Sequence, residues 1–345
     1  MKGAFGLSSI VRLRLPVAAV LLLALSLVLA ACGGGSSASE DGGGVSGKIS
    51  IEGSSTVLPI TQAASEAFSQ ENPDVQISVG GAGTGDGFEA FCAGETQISD
   101  ASRPIEAEEQ QACKEKGIEY IEIPIAYDGI SVVVNGQNDF ASDITLDELK
   151  TLWEPQAEGK ITKWSQVRSE WPDQEITLYG PGTESGTFDF FTDKVVGEEG
   201  ASRSDYQASE DDNVLVQGVA GDPNALGYFG FSYYENNQDK LKALAVDGVQ
   251  PNTDTIRSGE YPLSRPLFIY VSTQALEENK AIEPFVDYYL DNLDQFVEQA
   301  KYVTLPSSLE KESYKQWEDR TTGTVFTDEG EPKGGDLETA LKQSQ

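Results

Sequence analysis

Histidine is absent from the 345 residues, and basic residues are scarce: 24 Lys+Arg stand against 57 Asp+Glu, a formal net charge of −33. Without histidine there is no Ser-His or Cys-His nucleophile, no His-ligated zinc and no histidine phosphotransfer. A field this negative opposes a nucleic-acid backbone or an anionic membrane surface, so no nucleic-acid partner is expected. Cysteine is limited to Cys32, Cys92 and Cys113. No metal cluster is visible in the sequence, and neither a metal nor a cofactor is expected. What remains is a large acidic protein that binds something or works with carboxylates and hydroxyls. The length suits two domains rather than one, and 39% hydrophobic content can supply each with a core.

The front of the chain reads as a targeting segment. Lys2, Arg12 and Arg14 precede an uncharged apolar run, Val17 to Ala31, too short to read as a spanning helix. Residues 1–31 are therefore expected to be a signal peptide. The string Leu29-Ala30-Ala31-Cys32 resembles a bacterial lipobox, which makes Cys32 the expected site of lipidation and membrane anchoring. A Gly/Ser-rich stretch follows directly, and 32–47 reads as a flexible tether. Removing Lys2, Arg12 and Arg14 from the 24 basic residues leaves 21 against 57 acids, a net −36 for the exported chain. Export implies an oxidising compartment, so a Cys92–Cys113 disulfide is expected, with two buried free thiols as the alternative.

From residue 48 to 134, short strands alternate with helices. Strands are expected at Lys48–Glu52, Val75–Val79, Gln97–Ala101, Tyr120–Ile125 and Ile130–Val134. Apolar spacing at Ala63, Ala64, Ala67 and Phe68 predicts a helix from Ile60, and further helices are expected at Phe88–Ala93 and Glu106–Lys116. This rhythm predicts an α/β fold with a largely parallel sheet. A second unit begins after Asn135, with helices at Leu146–Trp153 and Thr187–Val196 and a strand at Ile176–Tyr179. The chain turns strand-like again near Tyr261–Val271, then predicts helices at Ala275–Asp291 and 308–319. From about Thr327 it reads as a loose polar tail.

Three segments share one arrangement: a strand ends, small and hydroxylated residues follow, and a helix begins. They are Gly53-Ser54-Ser55-Thr56-Val57, the glycine run 80–87 containing Thr84, and Gly182-Thr183-Glu184-Ser185-Gly186-Thr187. A helix start offers unpaired backbone N–H groups and partial positive charge, and so can receive an anion. One such segment reads as an ordinary cap and turn; three in one exported chain point to a small oxyanion. None is a nucleotide loop, because the run 80–87 lacks the Lys-Ser/Thr of a P-loop. Ser185 lies outside a Gly-x-Ser-x-Gly elbow and has no histidine as base. A fourth segment, Asp100-Ala101-Ser102-Arg103-Pro104, offers a planar cation at Arg103 and a hydroxyl at Ser102. A fifth, Ala126-Tyr127-Asp128-Gly129, places a carboxylate beside a very apolar strand.

In this order, Gly-Ser-Ser-Thr-Val-Leu-Pro (53–59), the glycine loop ending in Gly87-Phe88, Ala-Ser-Arg-Pro-Ile (101–105), Tyr-Asp-Gly-Ile-x-Val-Val-Val-Asn (127–135) and Tyr-Gly-Pro-Gly-Thr-Glu-Ser-Gly-Thr-Phe-Asp-Phe-Phe (179–191) resemble the substrate-binding protein of the high-affinity phosphate ABC transporter. Gly227–Tyr234 and Tyr261–Leu267 continue the resemblance, which spans about 48–305. It implies a two-lobed class II periplasmic-binding-protein-like fold with inorganic phosphate in the interdomain cleft, a membrane permease as partner, and a monomer that catalyses nothing. Lobe I would be discontinuous, 46–134 plus 266–345, and lobe II would be 135–265. Ser55, Thr56 and Val57 match the first-loop ligands, Thr84 the second-loop hydroxyl, and Ser185, Gly186 and Thr187 the helix start of the second lobe. Two departures from one branch of the family stand out. An Asp of that branch is replaced by Arg103, and an Arg by Pro181. The cation is therefore expected at Arg103, with Ser102 beside it, and the acceptor of the phosphate proton at Asp128. Another oxyanion, sulfate or molybdate, is the alternative ligand, and a secreted phosphatase the more distant one.

Overall fold

A computed structural model describes residues 45–183 and 185–344. The expected signal peptide, Cys32 and nearly all of the tether lie outside the described residues. The first half opens with β1 (Gly47–Gly53), α1 (Leu58–Glu71), β2 (Val75–Val79), α2 (Thr84–Cys92), β3 (Ile98–Ala101) and α3 (Ala107–Lys116). In β1 the alternation of Ile49 and Ile51 with polar residues buries one face. Helix α1 starts with Pro59 in its first turn and buries Ile60, Ala64 and Phe68 at intervals of one helical turn. Glu106 and Glu109 close a reciprocal cap on α3, and Gly117 ends it in the left-handed region at φ 74°.

A long strand, β4 (Tyr120–Asn135), carries the chain into the second half. There follow β5 (Asp143–Ile144), α4 (Leu146–Trp153), α5 (Trp164–Val167), β6 (Thr177–Pro181) and α6 (Gly186–Phe191), the last prolonged by a wider turn over Thr192–Val196. Then come β7 (Gln207–Ser209), α7 (Asp212–Gly221), β8 (Ala225–Gly230), α8 (Phe231–Glu235), β9 (Leu241–Ala243), β10 (Ala245–Val246) and α9 (Thr253–Arg257). Strand β11 (Ser264–Ser272) returns the chain, which ends in α10 (Thr273–Glu278), α11 (Ile282–Asp291), α12 (Leu293–Gln299), α13 (Ser307–Glu318) and α14 (Leu337–Ser344).

The main sheet runs β2-β1-β3-β11-β4-β8-β6-β7, with β9 also on β4. Its outer pairs, β1–β2, β1–β3, β6–β7 and β6–β8, are parallel, as the alternating elements predict. The strands that join the halves are antiparallel: β11 on β3 and β4, and β4 on β8 and β9. The sheet is therefore mixed rather than largely parallel. Where two strands were expected at 120–125 and 130–134, β4 is one continuous strand, and all 16 of its residues are buried. Its partner changes inside the strand: Tyr120–Gly129 face β11, and Ile130 onward faces β8. The change falls between Gly129 and Ile130, ahead of Asn135. A Cβ on Gly129 would stand 2.6 Å from the Ile256 side chain of α9, so any larger residue would have to push that side chain off the joint.

The tail from Thr327 is not loose. Helix α14 buries Leu337, Ala340 and Leu341. The preceding turn is tied to the sheet by Glu122, which is fully buried and accepts hydrogen bonds from Tyr270 Oη (2.7 Å), Thr324 Oγ1 (2.7 Å) and the Val325 amide (2.9 Å). Burial raises the Glu122 pKa and those three donors hold it back. The single helix expected at Ala275–Asp291 is broken into α10 and α11, because Asn279 turns its side chain onto Lys48 O at 2.8 Å and caps the Ala281 amide. A Cys92–Cys113 disulfide joins α2 to α3, with the Cα atoms 4.2 Å apart.

Asp100, at the end of β3, is 0% exposed, and among the described residues the only donor near its carboxylate is the Thr61 hydroxyl, which makes no well-formed hydrogen bond to it. Burial pushes its pKa up to about 8, with the nearby Thr61 hydroxyl opposing the rise and Glu52 adding to it. The proton thus favours the folded state, and this stabilisation is complete below the unfolded carboxyl pKa and lost as pH rises through about 8. A tenfold difference in proton affinity between the folded and unfolded chain corresponds to about 1.4 kcal/mol, so the loss is on the order of several kcal/mol. Urea melts at pH 5 and pH 8 should show the wild type weakening more steeply than Asp100→Asn, which keeps the slope contributed by Glu122, Asp128 and Asp212. Equal slopes for the two proteins would remove Asp100 as the source.

Candidate functional site

Strands β4 and β11 pair so that Arg265 stands directly opposite Asp128, one register step before the change of partner. Side chains opposite each other on antiparallel strands share a face, and here they form an ion pair, Arg265 Nε to Asp128 Oδ2 at 3.3 Å. Asp128 is 1% exposed, and its Oδ1 has no hydrogen-bond partner. The remaining donors of Arg265 fan outward. Nη1 donates to Ser102 Oγ at 3.0 Å, and Nη2 donates to Thr56 Oγ1 at 2.8 Å and to the Gly186 carbonyl at 3.2 Å. The guanidinium carbon lies 4.0 Å from the centre of the Phe190 ring. Burial opposes both charges: it raises the Asp128 pKa against the attraction of Arg265, and lowers that of Arg265 against Asp128. A guanidinium nonetheless keeps its proton, and the pair is a cation beside a carboxylate that protonates more readily than usual.

Around this pair lie the loop ends singled out in the sequence. The Thr56 and Val57 amides, at the start of α1, both point to Ser54 Oγ at 3.2 and 3.4 Å. Thr84, the first residue of α2, accepts from the Ser102 amide at 3.2 Å and lies 3.1 Å from the Ser102 hydroxyl. Ser185 caps α6 by accepting from the Thr187 amide at 3.2 Å. The two halves touch here. A Cβ on Gly186 would fall 2.2 Å from Thr56 Oγ1, so this close approach requires glycine. Ser55 donates to Asp189 Oδ2 at 3.4 Å across the same line. A cleft of about 590 Å³ opens beside them, lined by Thr84, Ser102, Arg103, Asp189, Phe190 and Arg265.

Ser55, Thr56, Val57, Thr84, Ser102, Asp128, Ser185, Gly186 and Thr187 are thus brought to one region. Arg103 lines the cleft but is not its central cation. Its guanidinium is held by Glu109 at 2.9 and 2.8 Å and by Glu106 at 3.2 Å, because the cap of α3 presents both acids to it. Arg265 takes that place. The sequence carries Ser-Arg-Pro twice, at 102–104 and at 264–266, and the second copy was the missed signal. Ser54, Asp189 and Phe190 were also missed, being an ordinary turn serine and two residues of a helix that reads as core. Among the described residues no cluster of acids and cysteines is arranged to hold a metal ion, and no helix is long and apolar enough to cross a membrane.

Removing one partner of a buried pair strands the other, at a cost of about 3–5 kcal/mol, whereas a partly exposed pair contributes about 0–1 kcal/mol. Arg265→Ala should therefore lower unfolding free energy far more than Arg103→Ala, and Arg265→Ala with Asp128→Asn should recover much of the loss. Chemical denaturation of the four proteins checks this. Equal losses for the two arginine variants would show that Arg265 is not the buried partner.

The chain matches the family model of the PBP superfamily domain over residues 38–292. Among curated proteins it is 49% identical over 289 residues to Protein SphX of Synechocystis sp. (strain ATCC 27184 / PCC 6803 / Kazusa), covering 81% of this chain and 85% of that protein. It is 40% identical over 278 residues to the phosphate-binding protein PstS of Staphylococcus haemolyticus, covering 79% and 85%. Among solved structures it resembles a possible phosphate binding protein from Planctomyces limnophilus, with TM-score 0.76, 44% identity and coverage of 80% and 99%. A putative phosphate ABC transporter substrate-binding protein with bound phosphate, from Clostridium perfringens, aligns with TM-score 0.53 and 30% identity, covering 75% and 100%.

Proposed function

Because the chain belongs to the PBP superfamily, and within it to the substrate-binding proteins of phosphate ABC transporters, we propose that it captures inorganic phosphate outside the membrane and hands it to a permease for import, without chemistry of its own. One observation carries this reading: the guanidinium of Arg265 reaches hydroxyls of two first-half loops and the helix start of the second half at once. A tetrahedral oxyanion suits that meeting point, where a planar cation, Ser and Thr hydroxyls and the N-termini of α1 and α2 supply donors from several directions. The ligand-holding set is Ser55, Thr56, Val57, Thr84, Ser102, Asp128, Ser185, Gly186 and Thr187, with Arg265 as principal cation and Arg103 on the wall.

The two sheet halves act as lobes about a joint in β4 and β11, with 130–263 as lobe II and the rest of the described chain, Arg265 included, as lobe I. Two adjacent crossing strands bend together, which lets the lobes close on a ligand. Cys32 carries the lipid that keeps the receptor, a monomer, at the membrane beside its permease.

Selectivity follows from Asp128. At pH 7 phosphate carries at least one proton and sulfate none. A buried carboxylate oxygen without a partner accepts that proton's hydrogen bond, while facing sulfate it sets two anions in contact. A site built around such a bond discriminates by about 10⁴–10⁵, beyond what size supplies for two anions of similar shape. Asp128→Asn should fold with reduced stability, since Arg265 loses its ion partner, and should weaken phosphate binding and narrow the gap to sulfate. Since burial raises the Asp128 pKa, exclusion of sulfate by the wild type should also weaken as pH falls and the carboxyl becomes a donor. Competitive calorimetry with phosphate and sulfate across pH checks both. Normal phosphate affinity and full sulfate exclusion in Asp128→Asn would assign the acceptor to another group, and tighter binding of sulfate than of phosphate by the wild type would favour the other-oxyanion reading.

A further inference from the structure

Phe190 is buried, at 6% exposure, yet its ring face is turned to Arg265 rather than into an apolar layer alone. The two residues belong to different halves. Arg265 is fixed by strand register to Asp128 and by its donors to Ser102 and Thr56. Phe190 rides on α6, whose first residue, Gly186, is the other second-half group that the guanidinium touches. A guanidinium donates through its edge and stacks through its face, so Arg265 can use both at once. The edge is taken up by hydroxyls, a carboxylate and a carbonyl. The face is left for the aromatic ring, and with Phe190 6% and Arg265 16% exposed the contact is largely desolvated, which strengthens it.

We propose that Phe190 is a positioning residue that latches the two halves by stacking on Arg265, setting how long the captured anion stays without touching it. This rests on the reading of the cleft as a phosphate site. The stack forms only when α6 lies against the β4–β11 joint, so it contributes to the closed arrangement and nothing to an open one. It also holds the guanidinium plane in the orientation that aims Nη1 and Nη2 at Ser102 and Thr56. A latch of this kind acts on release rather than on encounter.

Stopped-flow kinetics with inorganic phosphate and small-angle scattering of the ligand-free protein test it together. Phe190→Leu should release phosphate about 5–30-fold faster, with the association rate changed less than about threefold, and its ligand-free form should be more expanded than wild type. Phe190→Tyr, which keeps the ring face, should restore both. If Phe190→Leu does not fold, Phe190→Met provides the same test: it fills a similar volume, lacks the aromatic face, leaves every donor of Arg265 in place, and should likewise speed release and expand the ligand-free protein. Wild-type release and wild-type dimensions in a folded Phe190→Leu would overturn the latch while leaving the phosphate reading intact. Failure of the wild type to bind phosphate would instead overturn that reading, and the scattering comparison would still decide the latch.

Discussion

The pairing of Arg265 with Asp128 across β11 and β4 is the constraint on which the cleft depends. It lies where one buried strand leaves its partner in the first half and takes another in the second. In this charge pair Asp128 is 1% exposed and Arg265 16%, so little solvent screens it and its geometry is held by the backbone. The register does this, with the only irregularity in the ladder displaced to Leu267/Phe268, beside Pro124, whose ring nitrogen cannot donate. Gly129 lets α9 press against the joint from one side. The hydroxyl loops then need only reach a guanidinium whose position is already decided.

On the proposed reading, the same pair explains how a chain at −33 can present an anion site. Long-range repulsion from acids is screened within about 10 Å at 0.1 M salt, while a buried cation and oriented donors act at contact distance. Arg265 lines the cleft, Asp128 pairs with it at 3.3 Å, and the surrounding hydroxyls and amides add no net charge of their own. Arg103, closer to the surface, is instead engaged by the acids of α3. The cation that matters is the one that the fold removes from the acidic surface.

Two buried carboxylates mark how differently the fold treats charge away from the cleft. Glu122 has three donors and fastens the C-terminal turn to the sheet. Asp100 has no such donors and answers burial by holding a proton. Burial raises the pKa of both acids; donors hold the rise back at Glu122 and make it an anchor, while Asp100 has only the nearby Thr61 hydroxyl against it.

Local chemistry made much of this legible in the sequence. The pattern of Ile49 and Ile51, the spacing from Ile60 to Phe68, and the limits of Val75–Val79 and Leu146–Trp153 follow from nearest-neighbour periodicity and caps, and the structure repeats them. The hydroxyl-rich loops were legible for the same reason, since a strand end followed by Ser, Thr and Gly before a helix is a local signal. The continuity of β4, the mixed sheet, the ordered α14 and the choice of Arg265 over Arg103 were not. Two Ser-Arg-Pro segments look alike along the chain. They differ only in what lies opposite them: the acids of α3 for one, and buried Asp128 for the other. Strand register and the burial of a partner distant in sequence settle that choice, and both exist only once the halves have been brought together.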